Sequence, residues 1–255
     1  MTRAALRNVL ANGYSLLLAL AAWEIVCRAG WVGPHLLPAP SAVLLRLAEL
    51  LQQRVFLGHA AQTLIRLFAG LGLATAFGVA TGLFAARSPL GCRFLEPLVR
   101  VLAPIPKIAL YPAMILILGF DHASKITLVV VDAIFPVLLA SYHGARMVEQ
   151  KLVWSARAAG TSDAACTLKI VLPAALPSIY TGFRIALAVS CVVVFLAEMI
   201  SSSDGLGHLL ILAARSFRTL DMFVPLVAIS LVGLILNGLT TIASRRLLAG
   251  FAEAR

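Results

Sequence analysis

Three ionisable side chains lie inside long apolar stretches of the sequence, where a charge is energetically costly. Lys107, Asp132 and Glu198 each follow or precede runs of Leu, Ile, Val and Ala. Ionisable groups in such surroundings are costly, and they mark solute paths, proton relays or buried ion pairs. These three residues are therefore the first candidates for a polar path through the apolar segments.

Other kinds of chemistry find little support in the sequence. The four cysteines, Cys27, Cys92, Cys166 and Cys191, lack metal-ligand spacing, and no nucleophile constellation is visible. No Gly-x-x-x-x-Gly-Lys-Ser/Thr phosphate loop occurs, so the chain has no visible means of cradling ATP. We expect no catalytic residue, no metal and no cofactor on this chain, and any energy must come from another subunit or an ion gradient.

The composition is typical of an integral membrane protein. Of the 255 residues, 61% are hydrophobic and 13% are charged, whereas ordinary soluble domains have about half and about a quarter. So little charge cannot coat a soluble surface, and the apolar residues form blocks of about 20, the length of a membrane-spanning helix. The net charge of +10 reflects Lys and Arg retained on cytoplasmic loops better than it reflects nucleic-acid binding. We therefore expect an all-α integral membrane protein.

About six transmembrane helices are predicted, with the N- and C-termini both inside, because the loops on that side carry most of the Lys and Arg. The predicted spans are Val9–Val26, Thr63–Ala86, Leu95–Leu118, Ser124–Tyr142, Leu176–Ile200 and Met222–Ala243. The first span could instead be a signal peptide, but Trp23 and Glu24 spoil a cleavage region and favour a retained anchor. Four prolines in the third span predict a kinked helix, either on the solute path or merely structural.

These spans suggest depths for the charged residues. At 1.5 Å per residue, Lys107 lies roughly 20 Å above the inner start of the third span and Asp132 roughly 12 Å below the outer start of the fourth. In a core about 30 Å thick these depths agree, so the two charges can pair; the alternative is that each separately faces water or snorkels. Glu198 either forms an outer gate or anchors the loop that follows it, and Arg184 can snorkel to the cytoplasmic interface.

Two regions are predicted along the chain. Residues 1–58 hold the first helix, a Pro-rich external stretch and an interfacial helix that Ser41 can cap. Residues 59–250 form a five-helix core with a cytoplasmic loop at about 143–175. In the core, four small residues at four-residue spacing predict close helix packing, within one chain or in a dimer: Gly70, Ala74, Gly78 and Gly82.

The cytoplasmic loop predicts a compact knob, residues 149–173, made of two short helices. The first is stopped by Gly160, the second restarts at Thr161-Ser162-Asp163, and it meets Pro173. Small side chains on such a knob let a partner protein approach closely.

The knob resembles the loop of inner-membrane permease subunits of type I ABC importers. That family's signature is Glu-Ala-Ala, three residues, Gly, nine residues and Ile-x-Leu-Pro, and here Gly160 precedes Ile170-Val171-Leu172-Pro173 by nine residues. Trp154-Ser155-Ala156 replaces Glu-Ala-Ala. Leu37-Pro38-Ala39-Pro40-Ser41 and Gly182-Phe183-Arg184-Ile185-Ala186 are similar to the nitrate, sulfonate and taurine branch, and the resemblance covers about residues 15–248.

The resemblance implies the type I importer permease fold and a multi-pass place in the bacterial inner membrane. It implies a permease homodimer, two ATPase subunits that bind ATP and Mg, and an external substrate-binding protein. The expected solute is a small sulfonate or taurine, a nitrate-like anion or a heterocyclic vitamin precursor. The residues expected to contact the ATPase are Trp154, Ser155, Ala156, Ala159, Gly160, Ile170, Leu172 and Pro173. The alternative is a proton-coupled secondary transporter that uses Asp132 and Glu198.

Overall fold

The computed structural model describes the backbone of residues 3–247 and the side chains of residues 14–245. Within that part of the chain the protein is helical, with no strand. Its α-helices are α1 Arg3–Arg28, α2 Pro40–Leu50, α3 Arg54–Arg87, α4 Pro89–Leu102, α5 Tyr111–Leu118, α6 His122–Arg146, α7 Gln150–Ala158, α8 Asp163–Cys166, α9 Leu172–Ile200, α10 Leu206–Arg215 and α11 Thr219–Leu247. The last three residues of the predicted core, 248–250, lie outside the described part.

Four continuous helical stretches are long and apolar enough to cross a membrane: Arg54–Arg87, His122–Arg146, Asp163–Ile200 and Thr219–Arg245. Together α4 and the segment Lys107–Leu118 are also long and apolar enough, but the pair is bent by 84°, the geometry of a broken span or a re-entrant loop. α1, which contains the predicted first span, is 26 residues long, and its side chains are described only from Tyr14 onward. α3 already begins at Arg54, so the expected region boundary at residue 58 falls inside this helix.

The prediction of one kinked helix over Leu95–Leu118 is wrong. α4 ends at Leu102, and a short 3₁₀ turn, Lys107–Leu110, separates it from α5. Pro104 and Pro106 remove two backbone donors in succession, and each also disfavours helical geometry in the residue before it. Two prolines so close together break the helix where a single one would bend it.

α6 forms the centre of the bundle, between α3 and α9. On one side, a Cβ added at Gly82 would lie 2.6 Å from the carbonyl oxygen of Leu138 on α6. On the other side, a Cβ added at Gly182 of α9 would lie 2.6 Å from the Pro136 carbonyl. The stripe Gly70, Ala74, Gly78 and Gly82 thus packs inside one chain, where the helix backbones approach closely, as expected for small residues in membranes.

The N-terminal helices are fastened to the bundle by polar contacts. The Ser41 hydroxyl does not cap α2 as expected; it donates to Glu24 Oε1 over 2.6 Å, and the same carboxylate accepts from Arg28. Further along α2, Arg46 Nε donates to Asp221 of α11 over 2.8 Å. α2 therefore lies against the outer ends of α1 and α11.

Close packing predicts different outcomes at two glycines of α3. Gly82→Ala would push a methyl group into the α6 backbone, and we expect a loss of about 1–3 kcal/mol in stability. Gly72 is exposed and has open space around it, so Gly72→Ala is the matched control and is expected to be neutral or slightly stabilising. Thermal unfolding of the purified variants in detergent measures both, and equal stability of the two variants would contradict the packing.

The predicted orientation has its own test. Cys166 is fully buried and unsuitable as a reporter, whereas Ala159 in the knob and Arg215 at the end of α10 are exposed. On a cysteine-free background, Ala159→Cys is expected to resist an impermeant maleimide in intact cells and to react after lysis. Arg215→Cys is expected to label in intact cells. Labelling with the two sides exchanged would reverse the orientation.

Candidate functional site

The knob has the turn that its sequence predicts. α7 ends at Ala158, and Gly160 adopts a φ of +82°, which glycine reaches without steric cost. The Thr161 amide donates to the Ala156 carbonyl over 3.0 Å and the Gly160 amide to the Arg157 carbonyl over 2.9 Å, a Schellman motif. The Ser162 hydroxyl then accepts from the Ala165 amide and caps α8.

The second helix of the knob does not stop at Pro173, contrary to expectation. α8 continues through a π-helical turn, Thr167–Val171, into α9, so that residues 163–200 form one stretch. The Leu172 amide donates to the Thr167 carbonyl, five residues back, in place of the usual four. The wider turn accommodates Pro173, whose ring would collide with a carbonyl of a regular α-helix.

The knob packs against α3 and α6 on one side, and its other side is exposed. Val153, Cys166 and Val171 are buried together with Leu83 of α3 and Ala145 of α6. The expected partner-contacting residues divide accordingly: Trp154, Ser155, Ala159 and Gly160 are exposed, whereas Ala156, Ile170, Leu172 and Pro173 are half-buried. The Trp154 side chain is prominent, with an exposure of 59%. Leu152 and Leu168 are also exposed, so the knob offers a partly apolar surface to a partner.

Lys107 and Asp132 lie together at the break between α4 and α5. Lys107 Nζ is 3.5 Å from Asp132 Oδ1 on α6, and it donates to the Ala103 carbonyl over 2.8 Å. It also stands 4.7 Å from the centre of the Phe135 ring. The broken helix frees the Ala103 carbonyl, so the break itself provides part of the lysine's environment. Asp132 keeps 26% of its side chain exposed, and the pair is therefore only partly enclosed.

Glu198 lies in a separate cluster at the outer end of α9. Its carboxylate is fully buried, 2.7 Å from Arg66 Nη1 of α3, whose side chain is 2% exposed. Its second oxygen accepts from the Thr63 hydroxyl over 2.9 Å and from the Gly207 amide over 3.1 Å. Arg66 also donates to the Asp204 carboxylate. Glu198 is thus bound on both oxygens, with no open position towards a path.

The loop between α9 and α10 is built around this carboxylate. Gly205 has a φ of +99°, and an added Cβ would lie 2.2 Å from the Glu198 carboxyl carbon. Partial burial favours the neutral form of Asp204, but the hydrogen bond from Arg66 and its positive charge outweigh it and hold the pKa of Asp204 below its usual value. This geometry is that of a loop anchor, the second of the two roles considered for Glu198.

The sequence compares directly with known proteins. Residues 78–249 match the family described as the inner membrane component of binding-protein-dependent transport systems. The chain belongs to this family. It is 31% identical over 229 residues to the putative aliphatic sulfonates transport permease protein SsuC of Bacillus subtilis, covering 90% of this chain and 83% of that one. It is 29% identical over 236 residues to the taurine transport system permease protein TauC of Escherichia coli, covering 91% and 86%.

The fold has a solved counterpart. The inward-facing MetNI methionine ABC transporter contains a chain with a TM-score of 0.65 and 20% identity to this permease, covering 78% of this chain and 96% of the other. The expected type I importer permease fold is confirmed. So is the resemblance to the nitrate, sulfonate and taurine branch.

Family membership decides between the two candidate transport mechanisms. The protein is a permease of an importer that depends on a binding protein, and it lies in the bacterial inner membrane with several spans. The proton-coupled alternative through Asp132 and Glu198 is not supported by these relatives. The family consists of transport proteins rather than enzymes. Within the part of the chain that the structure describes, no group of three or more His, Cys, Asp or Glu could hold a metal ion.

Sequence reasoning missed the partners of Glu198. Arg66 stands out as an arginine among apolar residues, which is a signal in itself, but its partner lies 132 residues further along the chain. Lys125, near the start of α6, is also buried, and its ammonium group donates to the Phe120 and Asp121 carbonyls. Both residues carry charges whose partners only the folded chain reveals.

The Lys107–Asp132 contact predicts non-additive stability. Lys107→Met and Asp132→Leu are each expected to cost up to about 3 kcal/mol, because each leaves a charge in the apolar bundle without its partner. The double variant is expected to recover at least about 1 kcal/mol of the summed loss. Recovery stays partial, since the Ala103 carbonyl also loses its donor. The coupling energy between the two residues is measured by chemical unfolding in detergent, and the exposed variant Lys169→Met is the control. Strictly additive losses of stability would mean that the Lys107–Asp132 contact does not stabilise the protein.

Proposed function

We propose that this permease works as a homodimer and moves a small organosulfonate inward. The external binding protein delivers the solute, and two partner subunits bind ATP and Mg and hydrolyse the nucleotide. The relatives support the solute class, since two of them are named for the transport of aliphatic sulfonates and of taurine. Nitrate-like anions and heterocyclic vitamin precursors are the other solutes to be compared with sulfonates.

The knob carries the proposal for coupling. Its exposed large apolar side chains are Leu152, Trp154 and Leu168, and its second helix runs without interruption into α9. A movement of a partner bound to the knob is therefore transmitted directly to a membrane-spanning helix. The family's acidic first position is Trp154 here, so we propose that an apolar contact replaces the carboxylate contact in this protein. Arg157 is already 2.7 Å from Asp163 within the knob and stabilises the turn.

In this proposal Lys107 and Asp132 lie on the solute path, at the break between α4 and α5. Their pair is partly exposed and stands where backbone groups are also released from helical bonding. Irregular backbone at membrane depth is tolerated where protein or a water-filled cavity surrounds it. Glu198 contributes indirectly, because it fixes the outer loop against α3.

The coupling proposal is tested at Gly160. Gly160→Leu introduces a side chain into open space, so it causes no steric clash with neighbouring atoms. The expected loss of stability comes from the positive φ alone and is about 1–2 kcal/mol. We expect the variant to insert in the membrane and to lose ATPase association. Gly160→Asn, which tolerates the same backbone angle, is the control for strain and is expected to retain at least part of the association.

The measurements are co-purification of the ATPase and ATP-dependent uptake of a labelled alkanesulfonate into proteoliposomes that contain the binding protein. Wild-type uptake that requires both partners supports the proposed function. Full association and uptake by Gly160→Leu would show that the knob does not carry the coupling. Uptake of nitrate or a pyrimidine in preference to every sulfonate tested would reject the solute class.

A further inference from the structure

Arg184 differs from Arg66 and Lys107, two cations of the bundle that are paired with carboxylates. Arg66 lies 2.7 Å from Glu198, and Lys107 lies 3.5 Å from Asp132. Among the residues with described side chains, no carboxylate lies within 4.0 Å of the Arg184 guanidinium. A cation without a counter-ion at membrane depth is expensive, and such residues mark substrate pathways.

Arg184 lies inside the membrane-spanning part of α9. It follows the start of α9 at Leu172 by twelve residues and precedes its end at Ile200 by sixteen, which is roughly 18 Å and 24 Å along the helix. α9 is therefore longer than a hydrocarbon core of about 30 Å, and with Ile200 at the outer edge of the core Arg184 lies roughly 6 Å from the inner edge. Snorkelling of Arg184 from there to the cytoplasmic interface stays a prediction.

The guanidinium stands at one end of an apolar cavity between α9 and α11. The cavity has a volume of about 650 Å³, within the range of small-molecule sites. Leu187, Leu226 and Leu234 are among its lining residues, and its polar lining residues are Arg184, Ser230 and Asn237. Asn237 Oδ1 accepts from Arg184 over 3.1 Å and 3.3 Å, so the amide nitrogen of Asn237 remains available as a further donor.

We infer that this cavity binds an organic anion with an apolar tail, and the inference rests on the proposed function in that the anion is an alkanesulfonate in transit. The sulfonate oxygens accept from Arg184 and from the Asn237 amide, and the alkyl chain lies along the leucine wall. The fork of guanidinium donors suits a multi-oxygen anion. Taurine binds this cavity less well, because its ammonium group would be desolvated against apolar side chains.

Two other occupants are outcomes of the test. A phospholipid of the inner leaflet could place an acyl chain in the groove and its anionic headgroup near Arg184. A second permease copy could cover the apolar wall, but covering the wall leaves the charge of Arg184 uncompensated unless that copy brings an anion with it. Charge complementarity therefore favours an anion over a second copy, and the proposed function makes that anion the sulfonate.

Binding is measured by titration calorimetry of hexanesulfonate into the permease–ATPase complex in phosphatidylcholine nanodiscs. We expect hexanesulfonate to bind at least tenfold more tightly than methanesulfonate or taurine, and hexylammonium not to bind. Arg184→Gln is expected to weaken hexanesulfonate binding at least tenfold. Equal affinities of the wild type and Arg184→Gln would overturn the site.

A pair of glycines on α11 tests the cavity without touching its charge. A Cβ added at Gly233, which lines the cavity, would meet only Cys191 Sγ at 3.7 Å, an ordinary contact. Gly233→Leu therefore fills the cavity with little strain, and we expect it to abolish binding. Gly238 on the same helix has open space and does not line the cavity, so Gly238→Leu is the control and should bind as the wild type does.

The remaining outcomes separate this inference from the proposed function. If Gly233→Leu retains full hexanesulfonate uptake, the permease transports sulfonates by another site. If hexanesulfonate binds as expected but the wild type does not take it up, the cavity stands and the proposed solute fails. Displacement of hexanesulfonate by equimolar phosphatidylglycerol would assign the cavity to lipid. Loss of the permease dimer in Gly233→Leu, measured by light scattering, would assign it to a subunit contact.

Discussion

The close approach of three helix backbones determines where the other parts of this permease lie. In lipid, helices gain little from burying apolar surface against one another, so they associate where small side chains allow tight packing. α6 meets Gly82 of α3 on one side and Gly182 of α9 on the other, at distances that exclude even a methyl group. Because α6 is fixed between its neighbours, Asp132 has a fixed position, and Lys107 reaches it from the turn at the break between α4 and α5.

The distribution of charge follows from the cost of burying it. Arg66 and Glu198 join the outer ends of α3 and α9, and both are almost fully enclosed. Their removal from water is compensated by hydrogen bonds on every side, as a buried pair requires. Lys107 and Asp132 form a looser pair with some access to solvent. Among the side chains that the structure describes, Arg184 has only the Asn237 amide as a partner, which leaves further guanidinium donors for a ligand.

Local signals in the sequence are sufficient to predict the turn of the knob. A glycine that ends one helix and a hydroxyl residue that begins the next act within a few residues, so the roles of Gly160 and Ser162 follow from their immediate neighbours. Neighbouring prolines are harder to interpret. At Pro104 and Pro106 two prolines within three residues break the helix, whereas at Pro173 a π-helical turn accommodates the proline and keeps the helix continuous.

Contacts between distant segments are beyond the reach of a single sequence. Ser41 has the residue type of a helix cap, but Glu24 of α1 lies close enough to accept its hydroxyl, and the tertiary contact prevails. Arg66 can be recognised as unusual, yet nothing in the sequence selects Glu198 as its partner over the other acidic residues. Pairing of Lys107 with Asp132 can be anticipated only because adjacent antiparallel spans place residues at calculable depths.

The continuity of α8, the π-helical turn and α9 gives the molecule a direct mechanical connection from the knob to the outer loop. Residues 163–200 form one helical stretch that begins beside Gly160 and ends two residues after Glu198. Its outer end is bound to α3 through Arg66, and its inner end is packed on Leu83 of the same helix. A displacement of the knob therefore has two ways to be absorbed: bending at the π-helical turn, or movement of α9 with its outer cluster intact. The cluster favours the second, because separating Arg66 from Glu198 would strand two buried charges, whereas α3, α6 and α9, which are packed together, can move as one unit against lipid and the other helices.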